Sequence, residues 1–258
     1  MQSLLSLQKH VIYGPVKSRR LGKSLGINLL PKNSKVCSFD CIYCHYGRTT
    51  IKTLDLRGAD YPRPSTVALE LEKALKTLED IEYITFSGNG EPTLHPDFPE
   101  IVDGVISLRN ELAPNALTAV LTNSSMLIDE AIRRATQRLD FCFAKLDAGD
   151  KVTFKKINRP HADIMFEDIV NVLREMDGII IQCVMIDGSV SNTRPSLLDH
   201  WKRKVFEISP SEVQIYSTDR PVSEAGVEKV PSSELLRIAR DLEREASIKV
   251  RAFYSEKN

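Results

Sequence analysis

The feature that most constrains this chain is Cys37-Ser38-Phe39-Asp40-Cys41-Ile42-Tyr43-Cys44, three thiols in one short stretch of a 258-residue chain whose other cysteines are Cys142 and Cys183. Thiolates this close belong to a single loop. Three of them can hold three irons of a cubane iron–sulfur cluster, and no neighbouring cysteine closes the remaining iron. An electron carrier takes a fourth thiolate. A site short of one invites an outside ligand and therefore chemistry at the cluster. The competing reading is a structural zinc site with His45 as fourth ligand, but His45 adjoins Cys44, and neighbouring side chains seldom both turn toward one tetrahedral ion. A disulfide with a spare thiol ranks lower again. Leu4, Leu5 and Leu7 are broken by polar residues and meet Lys9 and His10, a pattern unlike a secretory signal. Five cysteines, an odd number, then read as reduced thiols, and a cytoplasmic location is expected.

Composition bounds the rest. With 42% apolar and 27% charged residues the chain is an ordinary globule, and without a repeat or flexible linker a single domain over residues 1–258 is expected. No apolar run approaches a membrane span, so no membrane partner is expected. The formal net charge is zero, which announces no nucleic-acid partner. A local basic patch remains, since Lys17, Arg19, Arg20 and Lys23 cluster before the cysteine loop.

Along the chain, residues 13–27 are rich in glycine and cations and read as a shaped loop, followed by a short strand over 27–30 that Pro31 ends. A helix is predicted from Ser65 as its cap, with Val67, Leu71, Ala74, Leu75 and Leu78 at helical spacing. Further strands are predicted over 83–86, 117–121, 141–146, 179–185 and 212–216, alternating with helices over 96–108, 126–135, 164–175 and 197–205. A last helix over 233–244 leads to a strand over 248–253. Such alternation implies parallel pairing with right-handed crossovers. Six strands before the terminal one suggest an α/β partial barrel, with functional groups gathered where the strands end. Cys142 and Cys183 fall inside apolar strand runs and read as core thiols.

The residues just past each strand are the candidates for a site. After the second strand comes Ser87-Gly88-Asn89-Gly90-Glu91-Pro92; after the third, Thr122-Asn123-Ser124-Ser125; the fourth ends Lys145-Leu146-Asp147, whose alternation puts a cation and an anion on one side. A tight turn, a helix cap and a structural ion pair are the plainer readings of these three.

Cys-x3-Cys-x-aromatic-Cys followed by Gly-Asn-Gly-Glu-Pro resembles the pattern of the radical S-adenosylmethionine (SAM) superfamily. The resemblance implies a partial (βα)6 barrel with short N-terminal and C-terminal extensions. It also implies a [4Fe-4S] cluster on Cys37, Cys41 and Cys44 whose open iron is chelated by SAM. By the same resemblance Gly88, Asn89, Gly90 and Glu91 form the rim for the SAM amino group, with Asn89 where the family pattern has glycine. Asn123 and Ser124 would face ribose hydroxyls, Lys145 the SAM carboxylate and Asp147 a ribose hydroxyl, and Tyr43 would lie against adenine. The expected activity is reductive cleavage of SAM to a 5′-deoxyadenosyl radical that abstracts hydrogen from a substrate. An electron donor of the flavodoxin or ferredoxin type is implied as partner.

Within that superfamily, residues 14–28, Cys44-His45-Tyr46-Gly47-Arg48-Thr49, Lys145-Leu146-Asp147 and Asp219-Arg220-Pro221 resemble the subgroup of the wyosine-forming tRNA enzymes, as a short member with one cluster. Those enzymes carry further cysteines that this chain lacks. A small-molecule or nucleotide substrate is therefore expected ahead of tRNA, and a non-catalytic iron–sulfur or zinc protein is the third reading. Arg19, Arg20, Arg48, Arg159, His161 and Arg220 are the candidates for substrate contact, each otherwise an ordinary surface cation.

Overall fold

The structure is a computed structural model and describes residues 3–255. The chain opens with β1 (Ile12–Ser18) and β2 (Gly22–Ile27), an antiparallel pair, then the two-residue strands β3 (Val36–Cys37) and β4 (Ile51–Lys52). The alternation follows: α1 (Pro64–Thr77), β5 (Tyr83–Phe86), α2 (Phe98–Leu112), β6 (Leu117–Thr122), α3 (Glu130–Gln137) and β7 (Phe141–Lys145). Two helices, α4 (Lys151–Asn158) and α5 (Phe166–Arg174), separate β7 from β8 (Ile180–Val184). The rest is β9 (Ile186–Gly188), α6 (Pro195–Ile208), β10 (Glu212–Tyr216), β11 (Val227–Lys229), α7 (Ser232–Ala246) and β12 (Lys249–Phe253).

The large sheet has the order β1-β2-β5-β6-β7-β8-β10-β12. Pairs β2–β5, β5–β6, β8–β10 and β10–β12 are parallel. This is the α/β partial barrel expected, with β1 and β12 as the outer strands. Strand β8 is buried along its whole length, as a strand covered on both faces must be.

The elements differ from expectation in instructive places. The predicted loop over 13–27 is the β1–β2 hairpin, and the strand placed over 27–30 lies earlier, in β2. Gly26 explains the disguise: a Cβ there would stand 2.1 Å from the Tyr13 ring, so the glycine is what lets Tyr13 of β1 lie across β2. Helix α1 starts at Pro64 with Arg63 at its cap and no side-chain capping bond, so Ser65 lies inside the helix. Helix α3 starts later than predicted because Asp129 caps it, accepting from the N–H groups of Ala131 and Ile132. Helix α4 was not anticipated; Asp150 caps it through Val152 N and Thr153 N.

The chain forms two compact units. One comprises Leu7–Ser38 and Thr49–Phe143; among the described residues the other comprises 3–6, Phe39–Arg48 and 144–255. In the first, Leu30, Val36, Leu56 and Leu94 form a buried cluster. In the second, Ile42 of the cysteine loop packs with Ile157, Val184 and Ile186, and burying one such side chain is worth about 1.5–3 kcal/mol. Among the described residues no helix is long and apolar enough to cross a membrane.

Candidate functional site

The loop carrying Cys41 and Cys44 is set by the end of α4. A helix leaves its last carbonyls without intrahelical partners, and here backbone N–H groups of the loop take them. Asp40 N donates to the carbonyls of Asn158 (3.0 Å) and Arg159 (3.2 Å), and Ile42 N to that of Ile157 (2.9 Å). Arg159 ends the helix in the left-handed region at φ 44°. The Ser223 hydroxyl donates to the carbonyls of Cys41 and Ile42, both at 2.9 Å, and Phe39 meets Phe154 edge-on at 5.4 Å. A short polar helix thus fixes the path of the loop.

Beside it lies a buried ionic network. The Lys145 ammonium is 2.8 Å from Asp147 Oδ1 and sits between two rings, 5.2 Å from Tyr43 and 5.1 Å from Tyr216. The Asp147 side chain is fully buried. It also accepts from Val184 N (2.9 Å), from Asn158 Nδ2 (2.8 Å) and from the Tyr43 hydroxyl. Asn158 Nδ2 further lies 3.4 Å from Cys41 Sγ. Burial works to lower the Lys145 ammonium, yet the Asp147 carboxylate holds it above its usual range. Burial, then the Asp147 charge, pushes the Tyr43 hydroxyl well up. The same two causes push the Cys41 thiol up to about 12, and binding a metal would displace its proton to solvent.

The other unit holds the glycine loop. A Cβ on Gly90 would meet the Val36 carbonyl oxygen at 1.7 Å, so only glycine permits the backbone approach that places this loop against β3. Asn89 is fully buried and serves as a staple: its Nδ2 donates to the carbonyls of Gln8 and Pro31, both at 2.9 Å, its Oδ1 accepts from Gln8 N at 2.7 Å, and its own N–H reaches Asn28 Oδ1 at 3.0 Å. Glu91 accepts from Thr93 N, Thr93 Oγ1 and Thr122 Oγ1 on one oxygen and from Asn123 N (2.6 Å) on the other. Burial raises the Glu91 carboxyl, and these donors oppose the rise. Asn123 in turn donates to Ser38 Oγ (2.8 Å) and lies 3.5 Å from Cys37 Sγ. Ser124, at φ 73°, receives its turn from Thr122 Oγ1 on its N–H and does not cap α3.

The predicted surface cations are placed variously. Arg48 and Arg159 both pair with Glu224, at 2.6 and 2.9 Å, and Arg48 also with Asp40 at 3.0 Å. Arg19 and Arg20 stand in the turn between β1 and β2, Arg220 is exposed, and His161 lies 3.5 Å from Asp163. Cys142 and Cys183 are buried core thiols, as expected. Sequence reasoning missed Asn158 and Tyr216, which carry no recognisable spacing.

The donor set suits an iron–sulfur cluster. Cys37, Cys41 and Cys44 are half-buried and none is in a disulfide, and Cys37 and Cys41 each have a side-chain amide N–H beside the sulfur, the type of partner that disperses charge on a metal-bound thiolate. Among the described residues no group of three His, Cys, Asp or Glu side chains is arranged to hold a single metal ion.

Comparisons with known proteins bear on the family and the fold. The family model described as Radical SAM superfamily matches residues 34–200. The UPF0026 protein MJ1312 of Methanocaldococcus jannaschii is 35% identical over 234 residues, covering 88% of this chain and 68% of that protein. Among solved structures, TYW1 with a lysine-pyruvate adduct bound gives a TM-score of 0.65 at 17% identity, over 88% of this chain and 74% of that one. Native anSMEcpe with bound AdoMet gives 0.62 at 16% identity, over 90% and 64%. At these identities the two structures are likenesses of fold.

Proposed function

The chain belongs to the radical SAM superfamily, and from that premise we propose that it is a radical SAM enzyme with one [4Fe-4S] cluster, held by Cys37, Cys41 and Cys44, acting on a small-molecule or nucleotide substrate. The observation that carries the reading is the buried Lys145–Asp147 pair and its continuation through Asn158 to the Cys41 sulfur. A cation and a carboxylate at a strand end beside a ligand thiol suit a zwitterionic cofactor better than a passive electron carrier does. The cluster, when bound, supplies one electron to the sulfonium of SAM, so that methionine and a 5′-deoxyadenosyl radical form.

The chain's own residues do the rest. Lys145 keeps its proton and offers positive charge to the SAM carboxylate. Tyr43, fixed through its hydroxyl to Asp147, presents a ring of set orientation. Gly88 to Glu91 form the rim for the amino group, with Glu91 holding the rim to Asn123 and Ser124. Burial of this network excludes water from the reacting bond, and position alone selects which substrate hydrogen is taken. A flavodoxin or ferredoxin type donor supplies the electron. The resemblance of residues 14–28, 44–49, 145–147 and 219–221 to the wyosine-forming tRNA enzymes makes a tRNA substrate the second reading.

Anaerobic reconstitution with iron and sulfide, followed by dithionite and SAM, tests the proposal. 5′-Deoxyadenosine is expected, and Cys41→Ala abolishes it. An intact brown cluster that yields no 5′-deoxyadenosine points to an electron carrier instead.

A further inference from the structure

Asn158 is 2% exposed, and its two amide atoms have unequal fates. The nitrogen is surrounded by acceptors: Asp147 Oδ2 at 2.8 Å, Cys41 Sγ at 3.4 Å and the Tyr43 hydroxyl at 3.4 Å. Turning the amide over would set its oxygen against the Asp147 carboxylate, so the chemistry fixes the orientation. The other atom, Oδ1, is buried and meets no donor among the described residues. An orphaned acceptor in a buried position is costly. It is the more telling because Asn158 ends α4, whose Ile157 and Asn158 carbonyls accept from the loop of Cys41. This unmet demand belongs to a side chain whose nitrogen lies 3.4 Å from Cys41 Sγ.

We infer that Asn158 is a SAM-recognition residue: its Nδ2 is anchored by Asp147 and the Cys41 sulfur, and its Oδ1 accepts a hydrogen bond from bound SAM. The inference rests on the radical SAM reading above and adds to it a residue outside the cysteine, glycine and strand-end motifs. SAM carries the matching donors in its ribose hydroxyls and its ammonium group. Because one amide touches both the thiolate and the cofactor, Asn158 also couples the two. The N–H beside Cys41 stabilises the more negative, reduced cluster, and the same side chain orients the molecule that receives the electron.

The test uses the full chain, reconstituted anaerobically, wild type against Asn158→Ala. Three quantities are read: iron and sulfide content, the cluster midpoint from a redox titration followed by electron paramagnetic resonance without SAM, and the SAM dissociation constant from equilibrium dialysis. Cluster content is expected to hold, the midpoint to move to more negative potential, and SAM to bind about tenfold more weakly. Analogues lacking the ribose 2′- or 3′-hydroxyl identify the donor, since the one without it loses affinity in the wild type and loses nothing further in Asn158→Ala. If both hydroxyls matter equally in the two proteins, the ammonium group is the donor. Unchanged SAM affinity in Asn158→Ala overturns the inference. If that variant does not assemble its cluster, a crystal structure of the wild-type holoenzyme with SAM decides: a SAM donor within 3.5 Å of Oδ1 upholds it, and water alone at Oδ1 overturns it. Wild-type protein that binds neither cluster nor SAM defeats the enzymatic reading itself, a result distinct from normal SAM binding without Asn158.

Discussion

Glu91 is 2% exposed, and both of its oxygens accept hydrogen bonds from the chain. The carboxylate therefore ties the turn after β5 to the residues after β6, and through Asn123 to the side of Cys37. Glu91→Gln keeps the shape but sets an amide N–H₂ against a donor, whichever way the group turns. It is expected to cost about 2 kcal/mol of stability in urea unfolding, the price of a buried donor facing a donor. Glu91→Gln should also weaken SAM binding in the reconstituted protein, because Asn123 and Ser124 lose their anchor. Asn89 makes the related point for sequence reading. A substitution in a glycine pattern looks like a departure, yet its side chain joins Gln8 and Pro31 in a way glycine cannot.

At the level of elements, the amino ends of β6 and β7 are joined by Asp140, which accepts from Thr118 N (2.7 Å), Thr118 Oγ1 (2.8 Å) and Arg109 Nη1 (3.0 Å) on one oxygen. Partial burial works to raise this carboxyl, but the Thr118 donors and the Arg109 guanidinium bring it below the usual range. A depressed folded-state pKa contributes stability that is present above the unfolded value, near 3.9 for an aspartate, and is lost as pH falls through the folded value. Asp140→Asn is therefore expected to lower stability by about 1 kcal/mol at pH 7, with the difference shrinking as pH falls below about 3.9; urea unfolding of both proteins at neutral and at acid pH checks it. The legibility of the elements follows their burial. β5 and β10 match their predicted bounds because Tyr83-Ile84-Thr85-Phe86 and Glu212-Val213-Gln214-Ile215-Tyr216 are largely buried runs of strand-forming residues. The β1–β2 hairpin was hidden by glycines and cations on a half-exposed strand. Helix α4 was hidden because Lys-Val-Thr-Phe-Lys-Lys-Ile-Asn is short and turns Val152 outward, leaving Phe154 and Ile157 as its apolar anchors. That helix positions the cysteine loop and supplies Asn158, so the cysteines of the site were legible while the scaffold holding them was not.

Over the whole molecule, 35 lysines and arginines balance 35 aspartates and glutamates, and part of the positive charge near the cysteine loop is committed within the chain. Arg48 and Arg159 share Glu224, and Arg48 also meets Asp40. A surface that grips tRNA instead presents cations to phosphates and releases bound counterions, which gives affinity a steep dependence on salt. Arg19 and Arg20 in the β1–β2 turn, with Lys17 and Lys23 nearby, make too small a patch for several simultaneous phosphate contacts. Retention of tRNA on filters is therefore expected to be weak at low salt and absent near 0.15 M, where screening extends to about 8 Å. A small anionic substrate needs only one or two cations and would show little salt dependence. Turnover that survives 0.15 M salt with tRNA absent favours the small-molecule or nucleotide reading. Tight retention with a steep slope, lost in Arg19→Ala/Arg20→Ala, would move the substrate to tRNA while leaving the cluster and SAM chemistry as described.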